Sequence, residues 1–194
     1  MTISHSGARG LAALTNLLTQ LTGEQVFATR RLRCRRWNAS DLESVYAVYA
    51  DPEGARWVGD GQPISYSDSE RWLEVTASNY ATRGYGMFAL EESATSELVG
   101  FCGLVHPEGQ TVAETKYALY KSFWGRGYAT EALIGLRTYA SEEHDQARVI
   151  ATVAVQNLAS QRVLVKAGFG FHAARLEGEG ETTLVYQWSS ANSR

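Results

Sequence analysis

Residues 117–132 constrain the fold more than any other part of the chain. They read Tyr-Ala-Leu-Tyr-Lys-Ser-Phe-Trp-Gly-Arg-Gly-Tyr-Ala-Thr-Glu-Ala. A strand pattern runs into a loop with two glycines, Gly125 and Gly127, and a helix pattern begins at once. Glycines let the backbone approach a ligand closely. The first turn of a helix offers N–H groups without internal partners and the positive end of the helix dipole. Such a unit is either a tight strand-to-helix turn or an anion site suited to a phosphate or pyrophosphate. Arg126 adds a cation. Two common phosphate loops fit less well. A P-loop needs Gly-Lys-Ser/Thr after four spaced residues, and none is present. A dinucleotide fingerprint would place its third glycine at Thr130, and its acidic ribose partner, Asp145, precedes the next strand instead of ending it.

The rest of the pattern supplies the surroundings. Residues 30–37 alternate weakly and read as a strand. Residues 41–50 read as a helix capped by Ser40, and 68–81 as a second, with Trp72, Val75 and Tyr80 as candidate core and Gly84 as its stop. Glycines and prolines between 52 and 63 mark an irregular segment. Strands are expected at 85–91, 98–105 and 113–120, a helix at 127–143, a β-branched strand at 149–155 and a helix at 158–167. Two closing strands are expected at 169–174 and 182–188. This order predicts an α/β (α+β) three-layer domain with a mixed central sheet and helices on both faces. With 194 residues, one domain is expected.

The N-terminus carries Leu11, Leu14, Leu17, Leu18 and Leu21 at helical spacing, ending at Gly23. Thr15, Asn16, Thr19 and Gln20 interrupt the apolar run, so it reads as an amphipathic helix rather than a signal peptide. We divide the chain into an N-terminal extension, 1–28, and a domain, 29–190. No apolar run approaches the ~20 residues of a membrane helix. A cytoplasmic protein is expected. With 18 Lys and Arg against 21 Asp and Glu, the chain lacks the basic balance of a general nucleic-acid binder. Its four histidines and two cysteines have no metal-ligand spacing, so no metal is expected. Cys34 and Cys102 read as small core residues. Arg30, Arg31, Arg33, Arg35 and Arg36 read as a surface or edge strand.

A second informative stretch covers Asn157 to Phe169. Asn157 follows a strand and precedes a helix, which suits an N-cap, with Ser160 in the first turn. Gly168 and Phe169 complete a helix stop. Taken together, the two stretches resemble the GNAT superfamily of N-acetyltransferases, in particular the branch of ribosomal-protein-alanine N-acetyltransferases and their small-molecule relatives. That branch's loop reads Trp-Gly-x-Gly-Tyr-Ala-Thr-Glu-Ala, as Trp124 to Ala132 do here. Its later Asn-x-x-Ser and Lys-x-Gly-Phe elements match Asn157/Ser160 and Lys166/Gly168/Phe169. The Ala113-Glu114-x-x-Tyr117 strand also fits, and the element order matches from about Thr29 to Trp188.

The resemblance implies a mostly antiparallel sheet splayed between the strands ending near 120 and 155, with acetyl-CoA as co-substrate in the splay. Backbone groups of Tyr117, Ala118 and Leu119 would pair with the pantetheine arm. The N–H groups of Gly125, Arg126, Gly127, Tyr128, Ala129 and Thr130 would hold the pyrophosphate. Asn157 would orient the arm, and Lys166 joins the cofactor-binding set. A substrate amine would attack the acetyl carbonyl directly in a ternary complex.

Many relatives use a tyrosine seven residues after the asparagine as acid, and Leu164 stands there. Ser160 is the substitute expected to protonate the leaving thiolate. Glu114 would accept a proton directly or through water, or is an ion-paired glutamate. An acid found in some relatives is replaced by Thr152.

The acceptor site falls between the first two helices and at the last hairpin, where Trp57, Asp60, Tyr66 and Glu179 could line a pocket. Glu177, Glu179 and Glu181 either favour a cationic amine or form a solvated loop. The acceptor is a protein N-terminus or a small-molecule amine, and the assembly a monomer or homodimer. The competing reading is a noncatalytic acyl-CoA-binding sensor or interaction domain.

Overall fold

The computed structural model describes residues 23–58, 61–177 and 181–190. The leucine-striped segment, Asp60 and Glu179 therefore lie outside the described residues. Among the described residues eight strands form one sheet. They are β1 (Gln25–Ala28), β2 (Leu32–Arg36), β3 (Met87–Glu92), β4 (Leu98–Val105), β5 (Ala113–Leu119), β6 (Arg148–Ala154), β7 (Gly170–Glu177) and β8 (Glu181–Ser189). Their spatial order is β1-β2-β3-β4-β5-β6-β8-β7. Every pairing is antiparallel except β5 with β6, which is parallel. The helices are α1 (Leu42–Ala50), α2 (Pro52–Ala55), α3 (Tyr66–Arg83), α4 (Tyr128–His144) and α5 (Leu158–Lys166). The mixed three-layer architecture expected from the sequence is present.

Strand alternation divides the core into two. On one face α4 packs Leu133, Leu136 and Ala140 against Cys34, Phe88, Leu90, Cys102, Leu104, Val149 and Val153. On the other, α1 contributes Val45 and Val48 against Trp37, Met87, Ala89 and Phe101, with Trp72 of α3 packed alongside. Tyr49 stacks on Phe101 at 5.0 Å between ring centroids. Cys34 and Cys102 are buried and unbridged, as expected of core residues.

Several expectations need correction. The strand β1, which falls within the N-terminal extension, pairs with β2 in the sheet. β1 covers β2, which is therefore no edge strand; of the arginine run, Arg30 is exposed, Arg31, Arg33 and Arg36 are half-buried, and one member leaves the surface altogether. Arg35 is buried and makes a bidentate pair with Asp41 at 2.8 Å and a bond to Glu91 at 2.5 Å. Burial favours loss of its proton, but the two carboxylates hold the guanidinium's pKa above its ordinary value. The α1 entry is capped differently too. Asn38, not Ser40, accepts a bond from the Ser40 N–H at 2.8 Å and starts a 3-10 turn over Ala39–Asp41 that feeds α1. The irregular segment contains the short α2, and α3 begins at Tyr66 because Ser65 caps it. Val75 is exposed, not core. Gly84 stops α3 at φ +80° as expected.

Candidate active site

The single parallel pairing opens the sheet. β5 and β6 are in register at only two positions, Ala113 with Val149 and Glu114 with Ile150. Beyond them the strands diverge for five residues of β5 and four of β6. That leaves about 15 Å of unpaired edge on either side of the gap. The Tyr120 N–H bonds the Val99 carbonyl at 3.0 Å, which makes Tyr120 and Val99 a hydrogen-bonded pair of the β4–β5 ladder. By alternation the Ala118 peptide groups face β4, while those of Tyr117 and Leu119 face the opening. The Leu119 carbonyl accepts the Trp124 indole N–H at 2.8 Å. Of the three residues expected to pair with the arm, Tyr117 and Leu119 present their backbone to the gap and Ala118 does not.

The loop after β5 ends in an anion cradle. Gly125 and Gly127 take φ of +73° and +80°. Gly127 is the N-cap of α4 and gives its first turn no side-chain bond. The first backbone donor in α4 with an internal partner is Glu131, to Gly127 O at 3.1 Å. The preceding N–H groups, Tyr128 to Thr130, are the unpaired donors of a helix start. A Cβ on Gly125 would meet nothing within 4 Å, so the loop's surface is open to an approaching group.

Two arginines flank the cradle, and the sequence pointed to only one. Arg31, from the β1–β2 turn, donates through Nε to Glu131 at 2.6 Å and through Nη1 to the Arg126 carbonyl at 3.0 Å. Its guanidinium lies 4.4 Å over the Tyr128 ring. The Glu131 carboxylate also accepts from the Arg31 N–H and the Thr29 hydroxyl, each at 2.7 Å. Arg31 and Glu131 thus hold the loop from behind. The Thr130-Glu131 pair of the motif is legible in the sequence, but its partner lies a hundred residues earlier. Tyr128 is buried and bonds Glu92, so it brings only its backbone to the cradle.

Burial would raise the Glu131 pKa, but the bonds from Thr29 and Arg31 outweigh it and hold the carboxyl below its ordinary range. A depressed carboxyl stabilises the fold above its unfolded pKa, about 4.3, and stops doing so as pH falls through its folded value. Glu131→Gln should therefore lower stability by about 1 kcal/mol at neutral pH. In urea melts the difference from the wild type should vanish in acid. A difference that persists undiminished at pH 3 would mean the loss is steric rather than ionic.

The α5 side supplies a hydroxyl pair. Asn157 caps α5, accepting the Ser160 N–H at 3.1 Å. Ser160 Oγ lies 2.7 Å from the Tyr117 hydroxyl, which reaches across from β5. Burial pushes the Tyr117 pKa up to about 12, against a smaller pull downward from Ser160. Tyr117 keeps its proton at any working pH. Its backbone role was expected; this hydroxyl contact was not, although alternation along β5 could have placed it on the α5 side.

Glu114 stands elsewhere. It is buried where β5 and β6 still pair, and its face is that of Ala118, opposite Tyr117 and Ser160. One carboxylate oxygen bonds the Lys116 ammonium and the Thr152 hydroxyl, and the other accepts from Gln110 Nε2 at 3.2 Å. Of the two expected roles, the structure displays the ion-paired one. Lys166 is displaced as well. It is exposed at the far end of α5, and the neighbouring Gly168 abuts Arg137, ten residues into α4. That position is away from the first turn of α4.

Trp57 and Tyr66 are 41% and 44% exposed. Tyr120 bonds the Ser44 carbonyl of α1 at 3.1 Å, and Lys121 pairs with Glu53 of α2. These contacts bring the α1–α2 segment over the end of β5. The Tyr66 hydroxyl donates to Glu43 at 2.8 Å. The Arg56 guanidinium lies 4.8 Å over the Trp57 ring.

The sequence profile of the acetyltransferase (GNAT) domain matches residues 31–170. The chain belongs to the GNAT acetyltransferase family. An uncharacterized N-acetyltransferase of Bacillus subtilis, YoaA, is 27% identical over 146 residues, covering 74% of this chain and 82% of YoaA. A crystal structure of an acetyltransferase from Agrobacterium tumefaciens superposes with a TM-score of 0.73 at 26% identity, covering 84% of this chain and 94% of that one. The ribosomal L7/L12 α-N-protein acetyltransferase RimL, in complex with coenzyme A, shares the fold with a TM-score of 0.74. It is 18% identical, with 86% of this chain and 98% of RimL covered. As a GNAT acetyltransferase, the chain places its family motif where the geometry is open, at the cradle and the splay. No helix among the described residues is long and apolar enough to cross a membrane.

Proposed function

We propose that this GNAT acetyltransferase moves the acetyl group of acetyl-CoA to a primary amine, by direct attack in a ternary complex. The observation that carries the reading is the gap between β5 and β6, with an anion cradle at one end and a hydroxyl pair on its wall. Its chemistry suits an extended, amide-bearing arm that ends in a diphosphate. The donors present fit such a molecule. Acetyl-CoA, when bound, supplies an activated acetyl group.

The chain's own residues then do four things. The N–H groups from Gly125 to Thr130 hold the diphosphate, and Arg31 and Arg126 offset its charge. The backbone of Tyr117 and Leu119 pairs with the arm as a neighbouring strand would, and the Leu119 N–H polarises the acetyl carbonyl. Asn157 fixes the start of α5, so that Ser160 faces the gap. Ser160 relays a proton to the departing sulfur and takes in its place the one released by the attacking nitrogen, so that the net transfer runs from nitrogen to sulfur, while Tyr117, donating to Ser160 Oγ, keeps the relayed proton aimed outward. Trp57 and Tyr66 line the amine's approach, and Asp60 and Glu179 are proposed to complete it. Glu114 acts as a strut.

Amine-dependent release of the coenzyme A thiol tests this reading. A protein that binds acetyl-CoA yet releases no thiol with any peptide N-terminus or small amine would instead be an acyl-CoA sensor. In the same assay Glu114→Gln should keep turnover within about tenfold of wild type and lower stability instead. Loss of a thousandfold in a well-folded variant would make Glu114 the base.

A further inference from the structure

A groove of about 660 Å3 lies between β1 and α4; it begins beside the cradle, at Gly127 and Thr130, and runs away from it along the helix to Glu143. Val26 and Phe27 form one side; Ile134, Gly135, Thr138 and Tyr139 form the other. The strand presses hard on the helix here. A Cβ on Gly135 would come within 2.7 Å of both Phe27 and Thr29, and the Phe27 ring packs on Tyr139 at 5.6 Å. Ile134 is nonetheless 39% exposed on the α4 wall. We propose that residues 11–21 of the same molecule dock in this groove through their leucine stripe.

Two features select that occupant. The first is length. The α4 wall repeats every four residues, from Thr130 through Ile134 and Thr138 to Glu142, about 18 Å at helical rise. The stripe from Leu11 to Leu21 spans about 15 Å as a helix. The second is where the segment is tethered. Gly23, two residues beyond Leu21, accepts a bond from Arg33 Nη2 at 3.1 Å. It lies against Arg35 and Arg36, and Arg36 reaches Gly84, which abuts His144 at the end of α4. The chain therefore enters β1 at one end of the groove that β1 itself lines. A tether of two residues gives the stripe a high effective concentration over the groove, an advantage no separate partner has. The proposal is independent of acetyl transfer, and its failure would leave the active-site reading intact.

Hydrogen exchange on the full chain tests it directly. Amides of residues 11–21 should be protected at least tenfold over an unstructured segment, and Ile134→Asp should abolish that protection while coenzyme A binding persists. A full-chain thermal cycle adds an independent readout. Ile134→Ser should lower Tm by about 3 °C in the wild-type background, the size of shift expected from a contact of order 1 kcal/mol in a chain of this length. In the Leu14→Ser/Leu18→Ser background it should cause no further drop. Equal drops in both backgrounds, or amides of 11–21 that exchange freely in the wild type, would overturn the proposal. Light scattering should report a monomer. A dimer that Ile134→Asp dissociates would put a partner's segment in the groove, and would also overturn docking within one molecule.

Discussion

Gly127→Asp should lower the affinity for coenzyme A at least a hundredfold, about 2.7 kcal/mol, in a protein that still folds. The fold survives for local reasons. Gly127 is the N-cap of α4, a position where aspartate is among the best residues. Its φ of +80° falls in the left-handed region, which aspartate tolerates better than most side chains. A Cβ there would meet only Arg31 Nη2, at an ordinary 3.5 Å. Binding suffers for the complementary reason. The new carboxylate occupies the unpaired N–H groups, pairs with Arg31 and repels the diphosphate. Gly127→Asn separates charge from conformation, since it carries the same backbone cost without the charge and should lose far less affinity. Calorimetric titration with coenzyme A, beside a melt of the free protein, measures both quantities. Unchanged affinity in a folded aspartate variant would remove the diphosphate from this loop.

The second large effect concerns the hydroxyl pair. Ser160→Ala should reduce kcat by a factor of about 10²–10⁴, the range for loss of a positioned proton donor. The dissociation constant for acetyl-CoA should stay as it is. The start of α5 is not disturbed, because Asn157 caps it through the Ser160 backbone N–H rather than the hydroxyl. Tyr117→Phe should cost about tenfold, since tyrosine acts through the serine. The double variant should then be no slower than Ser160→Ala alone, the signature of two groups working as a unit. Additive losses would give Tyr117 a separate part in the reaction. Undiminished turnover in Ser160→Ala would make the serine an ordinary first-turn residue.

How far the sequence foretold these features depends on sequence distance. The cradle was legible because its parts are consecutive: strand, glycines and helix start all fall within residues 117–132. The asparagine cap and the Gly168 stop were legible for the same reason, as each is a local backbone requirement. The order of strands and helices followed from periodicity. The features that local sequence does not display join distant segments. Arg31 reads as one of five neighbouring arginines until the fold sets it against Glu131, a hundred residues away. Arg35 likewise reads as surface until β1 closes over β2 and Asp41 and Glu91 converge on it. The strand β1 itself is four residues long, too short for a pattern of its own. Lys166 matches a motif by its place in the chain, whereas its distance from the loop depends on its position along the helix. Glu114 needed its strand face, which alternation leaves undetermined until a neighbour fixes it.

The two-residue register between β5 and β6 has a consequence for the protein's life in a cell. One side of the sheet, β1 to β5, and the other, β6 to β8, meet along a seam two ladder steps long. In the proposed binding mode the co-substrate bridges that seam, and its binding free energy adds to the cohesion of the two lobes. Occupancy at a hundred times the dissociation constant would contribute about 2.7 kcal/mol. Proteolysis that proceeds through opening of the seam would slow by the corresponding factor, about a hundredfold. The protein's abundance would then track the supply of its own acetyl donor, with no regulator beyond the gap in the sheet.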